Sequence, residues 1–442
     1  MPTESEAEIE SEEVRGKMSD DKMAHDIENQ LDNLSGLSPE RCIYRVPERL
    51  RQVNEKAYTP QVVSVGPLHH GNGPLKAMEE HKLRYLKHFL SKTKVKLSDC
   101  LQKIQEQEKE LRGFYAEPIM FDKGEFVRIV SVDAAFVIDL LLRFEVVNYR
   151  EDEDDYIFSK PTMKSDVIRD LQLLENQLPF FILQDLFKLI PPQLQLQLPS
   201  LLEISYNFFQ SGIDSEVKKE KFNKISSSGV EVKHFVDLIR ILYLPLEPKK
   251  KPKTTATPKT RDPPNVTELH QAGAKFKVGK GSSLFDIKFS CGILKIPKLR
   301  VDDTTDLKLR NLLAFEQCHH RKEEEDCLAN YVFLMKRLAK TREDVQLLVE
   351  KGIIENWLGD TQKISNLLHD LGTGMIVDDW YYAPHCEKLI EYRKVLCRGW
   401  MVILKQKYFN TPWSTISVAA AVILLILTLI QTACSYKSVP LL

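Results

Sequence analysis

The chain contains no short signature that would name a reaction, and each missing pattern removes a class of chemistry. The run GAKFKVGKGSS (273–283) comes nearest to a phosphate-binding loop, which needs Gly, four residues, then Gly-Lys-Ser/Thr. Gly273 lies one position too early for Gly279, and Gly281 stands where a magnesium-binding hydroxyl belongs. Neither a G-x-S-x-G elbow nor an H-E-x-x-H pair occurs. Charge of one sign is lacking too: 62 Lys and Arg balance 63 Asp and Glu, a formal net charge of −1. The eight cysteines have no close regular spacing, which excludes a disulfide scaffold and fits reduced, mostly buried thiols. No basic, apolar leader is readable at the front, and no fixed-period repeat points to a solenoid or propeller.

What the chain does have is local asymmetry. Residues 1–40 carry twelve acidic side chains against Arg15, Lys17 and Lys22, with no aromatics, so this segment is expected to be disordered. A second acidic cluster, Glu151 to Asp155, reads as a solvated loop. The stretch 246–264, LEPKKKPKTTATPKTRDPP, reads as an exposed basic linker. One domain over 41–410 is expected, with possible lobes at 41–245 and 265–410.

The predicted elements give an α+β fold, predominantly α-helical, with a small antiparallel β element. Helices are expected from Pro74 to Lys92, near 131–146, from Asp166 to Leu178 and over 386–409. The 131–146 segment is too apolar for a surface position. Alternation at Phe285, Ile287 and Phe289, a turn at Ser290-Cys291-Gly292 and resumption at Ile293 predict a β-hairpin. Thr341 and Asp344 form a capping-box start, and Asp360 or Thr361 caps another helix ending at Gly372.

From Trp413 to Ala433 run twenty-one residues without a charge, ten of them Leu, Ile or Val. At ~1.5 Å per residue this is about 31 Å of helix, enough for a hydrocarbon core of roughly 30 Å. The expectation is a transmembrane helix followed by a short tail at 434–442. Basic residues before it (Lys388, Arg393, Lys394, Arg398, Lys405, Lys407) place the rest of the chain in the cytosol. Which membrane is involved is left open.

The candidate site residues are few. Glu175-Asn176-Gln177 sits in an apolar run before Pro179, either lining a pocket or satisfying backbone groups freed by the proline. Asp302 and Asp303 follow a predicted strand, as paired carboxylates or as caps of the helix running toward Phe315. Cys318-His319-His320 with Cys327, and His385-Cys386 with Cys397, lack the paired arms of a zinc site, so no metal is expected. No cofactor is expected either. His69-His70 reads as a solvated Gly/Pro loop.

Several long stretches, in order, resemble the plant domain-of-unknown-function 247 family, also known as uncharacterised protein family 0481. They are CIYRVPERLRQVNEKAYTPQVVSVGPLHHG (42–71), LLENQLPFFIL (173–183), TELHQAGAKFKV through LRNLLAFEQ (267–317) and GIIENWLG (352–359). The resemblance covers about residues 41–434. It implies single-span, tail-anchored plant membrane proteins without established catalytic residues, some resembling determinants of self-incompatibility. The functional expectation is a membrane-anchored recognition or signalling protein. Its partners would be the lipid bilayer and an unidentified protein, without nucleic acid. The alternative is a membrane-associated enzyme using Glu175, Asp302 or Asp303.

Overall fold

A computed structural model describes residues 23–29, 31, 38–147, 149–150, 155–209, 222–223, 225–227, 229–245, 262–280, 283–319, 327–377, 380–394 and 412–437. Residues 1–41 form one unit and 42–442 another. In the first, a helical stretch covers 23–29, and Arg41 Nε donates to the Ser38 carbonyl at 2.9 Å. Much of the expected disordered segment, the basic linker over 246–261 and the helix beyond Lys394 lie outside the described residues.

The second unit is built around one long apolar helix. After α1 (Ala77–Thr93) and α2 (Leu97–Glu106) comes α3 (Lys123–Glu145), started by Asp122, whose side chain accepts the Glu125 N–H. From Phe126 to Arg143 α3 is buried almost all round. That follows from its composition, since a helix without a polar face is stable only when neighbours cover every side. Those neighbours are α1, α2, α5 (Phe180–Lys188) and α6 (Leu201–Phe209).

Between α3 and α5 the sequence expectation needs correcting. The helix expected from Asp166 to Leu178 is α4, Pro161–Asp170, and 171–179 turn without helical structure. Apolar spacing at Leu171, Leu174 and Leu178 mimics helical periodicity, yet the Gln177 amide donates to the carbonyls of Leu171 and Leu173 at 2.8 Å each. A side chain thus takes acceptors that a helix would reserve for backbone.

Downstream of α7 (Phe235–Tyr243) and α8 (Val266–Gln271) the described residues form five strands. They are β1 (Lys275–Gly279), β2 (Lys288–Ser290), β3 (Ile293–Pro297), β4 (Leu299–Val301) and, much later, β5 (Ile354–Asn356). The β2–β3 hairpin is antiparallel, turned by Cys291 (φ 49°) and Gly292 (φ 72°). The β element is nevertheless mixed rather than antiparallel. β1 pairs parallel to β3, giving sheet order β1-β3-β2, and β4 pairs parallel to β5. Local alternation shows the hairpin; the parallel partners are set by distant packing.

Helices α9 (Thr305–Cys318), α10 (Cys327–Leu338), α11 (Arg342–Glu350), α12 (Thr361–Leu371) and α13 (Ala383–Lys394) complete the body. The Thr341–Asp344 capping box starts α11, and Asp360 caps α12 through the Gln362 N–H. One continuous core joins Phe136 and Leu141 to Phe315, Tyr331 and Ile364.

The last apolar run forms α14, Pro412–Lys437. Among the described residues, however, no helix is long and apolar enough to cross a membrane. The expected transmembrane helix from Trp413 to Ala433, the tail anchor and the single-pass localisation are therefore not supported. Without a span, flanking charge has nothing to orient, so the cytosolic placement loses its basis too.

Leu141 lies on α3 with no exposure, whereas Leu83 on α1 is 46% exposed. Leu141→Ala is expected to cost about 2–5 kcal/mol and Leu83→Ala less than about 0.5 kcal/mol, read from denaturant unfolding of both variants.

Candidate functional site

The turn 171–179 presents its polar side chains to the segment 42–66. Glu175, fully buried, accepts the Val46 N–H at 2.6 Å, bonds His69 Nε2 at 3.0 Å and pairs with Arg51. Arg45, half-exposed, stands 3.7 Å away. Asn176 accepts the Val65 N–H at 2.7 Å and donates to the carbonyls of Val63 and Asp170, 3.0 Å each. Gln177 Oε1 accepts the Phe235 N–H at 3.0 Å. Asp170, at the end of α4, accepts the N–H groups of Gln61, Val62 and Val63. An irregular segment crossing the core carries a row of backbone donors, and this clasp supplies acceptors for them.

Electrostatics inside the clasp pull two ways. Burial alone would raise Glu175, but its bonds to His69 and Val46 and the charge of Arg51 hold it below the usual carboxylate range. Among the described residues no ion pair joins Asp170, and burial pushes it up to about 6 against its three backbone bonds. Gly66 (φ +80°) closes the clasp. Its N–H donates to Asp133 at 2.9 Å, and a Cβ there would lie 2.5 Å from the Gln177 carbonyl.

Two corrections follow. His69 is no solvated loop residue; it is buried against Glu175. Asp155, at the end of the acidic cluster, is buried as well, accepting from Tyr85 at 2.7 Å and pairing with Arg143 at 2.6 Å. The other four members of that cluster lie outside the described residues.

Asp155 ends a polar rail between α1 and α3. Lys82 pairs with Asp133 at 2.6 Å, and Asp139 takes His88 at 2.9 Å and Arg143 at 2.7 Å. Burial would lower Lys82, but Asp133 and Glu79 hold it above the usual lysine value. Beside it a cleft of about 50 Å³ gathers His70, Glu79, Glu125, Arg128 and Asp133. That space suits a water or two, far below the roughly 300 Å³ of a small-molecule pocket.

Asp302 and Asp303 lie elsewhere. Asp302 Oδ1 accepts the N–H and hydroxyl of Thr304 and the hydroxyl of Thr305, at the start of α9. Burial alone would raise Asp302; those bonds hold it down. Asp303 is exposed. The structure therefore brings Glu175, Asn176 and Gln177 together in the clasp and leaves the aspartates apart from it.

Asp302 borders a surface that motif reasoning missed. Arg300 on β4 reaches Asp302 at 3.6 Å and lays its guanidinium 3.9 Å from the centre of the Trp357 ring. Trp357, directly after β5, is 59% exposed. Its N–H donates to the Val301 carbonyl at 2.9 Å and its indole Nε1 to Glu355 at 3.0 Å, while Lys298 holds Glu355 at 2.8 Å. Trp357 is thus an exposed tryptophan stacked on one face by Arg300 and bonded at its indole N–H by Glu355. The usable signal was a tryptophan inside the polar, glycine-closed run GIIENWLG.

Thiol chemistry finds little support. Burial pushes Cys318 up to about 11 and Cys386 to about 12, so both stay protonated. Among the described residues no His, Cys, Asp and Glu group is arranged to hold a metal ion. His320 and Cys397 lie outside the described residues.

Comparison with known proteins agrees with the resemblance. The family model DUF247, "Plant protein of unknown function", matches residues 43–427. The chain is 28% identical over 430 residues to the UPF0481 protein At3g47200 of Arabidopsis thaliana, covering 90% of this chain and 86% of that one. To the putative UPF0481 protein At3g02645 of the same plant it is 23% identical over 482 residues, covering 88% and 89%. No solved structure matches.

Glu175 has a folded pKa below its ordinary 4.5, so its contribution is present above that value and is lost as pH falls through the lowered one. Glu175→Gln is expected to cost about 3 kcal/mol near neutral pH, the low end for a broken buried pair because Arg51 can rehydrate. It should also flatten the acid limb, measured by urea unfolding from roughly pH 3 to 7.

Proposed function

We propose that this chain, which belongs to the plant DUF247 family, is a non-enzymatic recognition protein that binds another protein through the surface around Trp357. The carrying observation is the Arg300–Trp357 stack. Tryptophan and arginine dominate the energetics of protein interfaces, because both bury large area with little entropy to lose when already held in place. Here Glu355 and the stacked Arg300 hold the indole, Val301 anchors the Trp357 backbone, and Asp302 lies beside the arginine. The family resemblance implies recognition as well, in relatives that resemble self-incompatibility determinants.

The enzymatic alternative draws no support from the acids it would use. Both oxygens of Glu175 are engaged by internal donors, Asp302 is bonded to the start of α9, and the two share no partner.

The test is a side-by-side capture from plant extract with the full chain and its Trp357→Ala and Arg300→Ala variants. A true partner should fall by about tenfold or more with Trp357→Ala while the unfolding midpoint stays put. Equal recovery of every captured protein by all three chains would rule out this surface.

A further inference from the structure

The register of the three-stranded sheet sets three lysines in one line. Lys277 on β1 stands opposite Lys295 on β3, and Lys295 stands opposite Lys288 on β2. Cross-strand partners point to the same face, and all three are exposed. At ~4.8 Å between strands the row spans roughly 10 Å. Lys275, two residues before Lys277, extends the same face. None of the four has an ion-pair partner among the described residues.

Such a row works against the fold. Like charges directly opposite one another destabilise a sheet. Lysines on edge strands do guard against self-pairing, but Lys295 lies on the central strand, where that purpose is not served. Uncompensated positive charge in register fits a complementary negative strand.

The sheet also offers a place for one. β1 is an edge, paired only with β3 among the described residues. The Lys275 N–H donates to the Gly292 carbonyl at 2.8 Å, so Lys275 and, by alternation, Lys277 turn their amides inward. Phe276 and Val278 turn theirs to the open side. Val278 is 42% exposed on the face opposite the lysines.

We propose that the open edge of β1 accepts an extended acidic segment of a partner protein as a fourth strand. Carboxylates at alternate positions face Lys275 and Lys277, and apolar side chains between them lie beside Phe276 and Val278. Backbone bonds supply the affinity and the two rows of side chains the selectivity. Lys295 and Lys288 extend the attracting field behind the edge. This inference rests on the reading that the chain binds protein, and it adds the chemistry of a partner at a second surface.

The probe is a labelled peptide alternating Glu and Val, titrated onto the full chain by fluorescence anisotropy. Its control has the same composition with the glutamates in one block. The alternating peptide should bind more tightly, and added salt should weaken it. Lys277→Glu is expected to weaken it by about tenfold, Lys295→Glu by less and Lys288→Glu least, because distance from the edge grows in that order. Trp357→Ala should leave this binding unchanged, so the two surfaces fail or succeed separately. Equal binding of both peptides, equal loss for all three lysine variants, or tighter binding of single-stranded nucleic acid would each overturn edge docking. The substituted side chains are exposed, and unchanged circular dichroism confirms that every variant is folded.

Discussion

One buried carboxylate carries the architecture. Glu175 lies beside residues 42–66 where they cross the core, and it takes the Val46 amide, Arg51 and His69 together. With Asn176, Gln177 and Asp170 it does for an irregular segment what a neighbouring strand does in a sheet. Backbone donors that would otherwise be stranded among Ile43, Val63 and Val65 acquire partners. Remove the charge and Arg51 loses its counterion while the Val46 amide and His69 lose a bond, so the damage spreads beyond a single contact.

The α1–α3 rail follows the same rule with a different purpose. Buried ion pairs stabilise little on balance, because removing charges from water costs about as much as their attraction returns. They do discriminate. Lys82 meets Asp133 while His88 meets Asp139, so sliding one helix past the other by a turn would bury unpaired charge. Apolar side chains alone would tolerate such a slip far better.

Much of this was legible in the residues, and the failures share one cause. The apolar α3, the β2–β3 hairpin and the Thr341–Asp344 box depend on neighbours a few positions away and all form, although α3 starts at Lys123, ahead of the expected 131, and β2 keeps only Phe289 of the three alternating residues. The turn after Asp170, the burial of His69 and Asp155, and the parallel pairing of β1 with β3 depend on residues far along the chain. Spacing at 171–178 satisfied a helix, but hydrogen bonds to 42–66 satisfied more backbone. The Glu175 triplet was visible as an oddity, whereas its partners were not. Trp357 stood in the run GIIENWLG, but its role was not readable there, because it depends on the arginine stacked on it from another strand.

The clasp has a temporal side. Asn311 donates to the Ala57 carbonyl across 254 positions, and Asn54 reaches Asp306 across 252. Chains emerge from the ribosome at roughly 5–20 residues per second, so Ala57 waits some tens of seconds for Asn311 to be synthesised. During that interval the strip's amides already have partners at Asp170, Glu175 and Asn176, while the Ala57 carbonyl and the Asn54 side chain still lack theirs. The last bonds that pin residues 54–57 are therefore made only after α9 has been synthesised, at the far end of these two long hydrogen-bond spans.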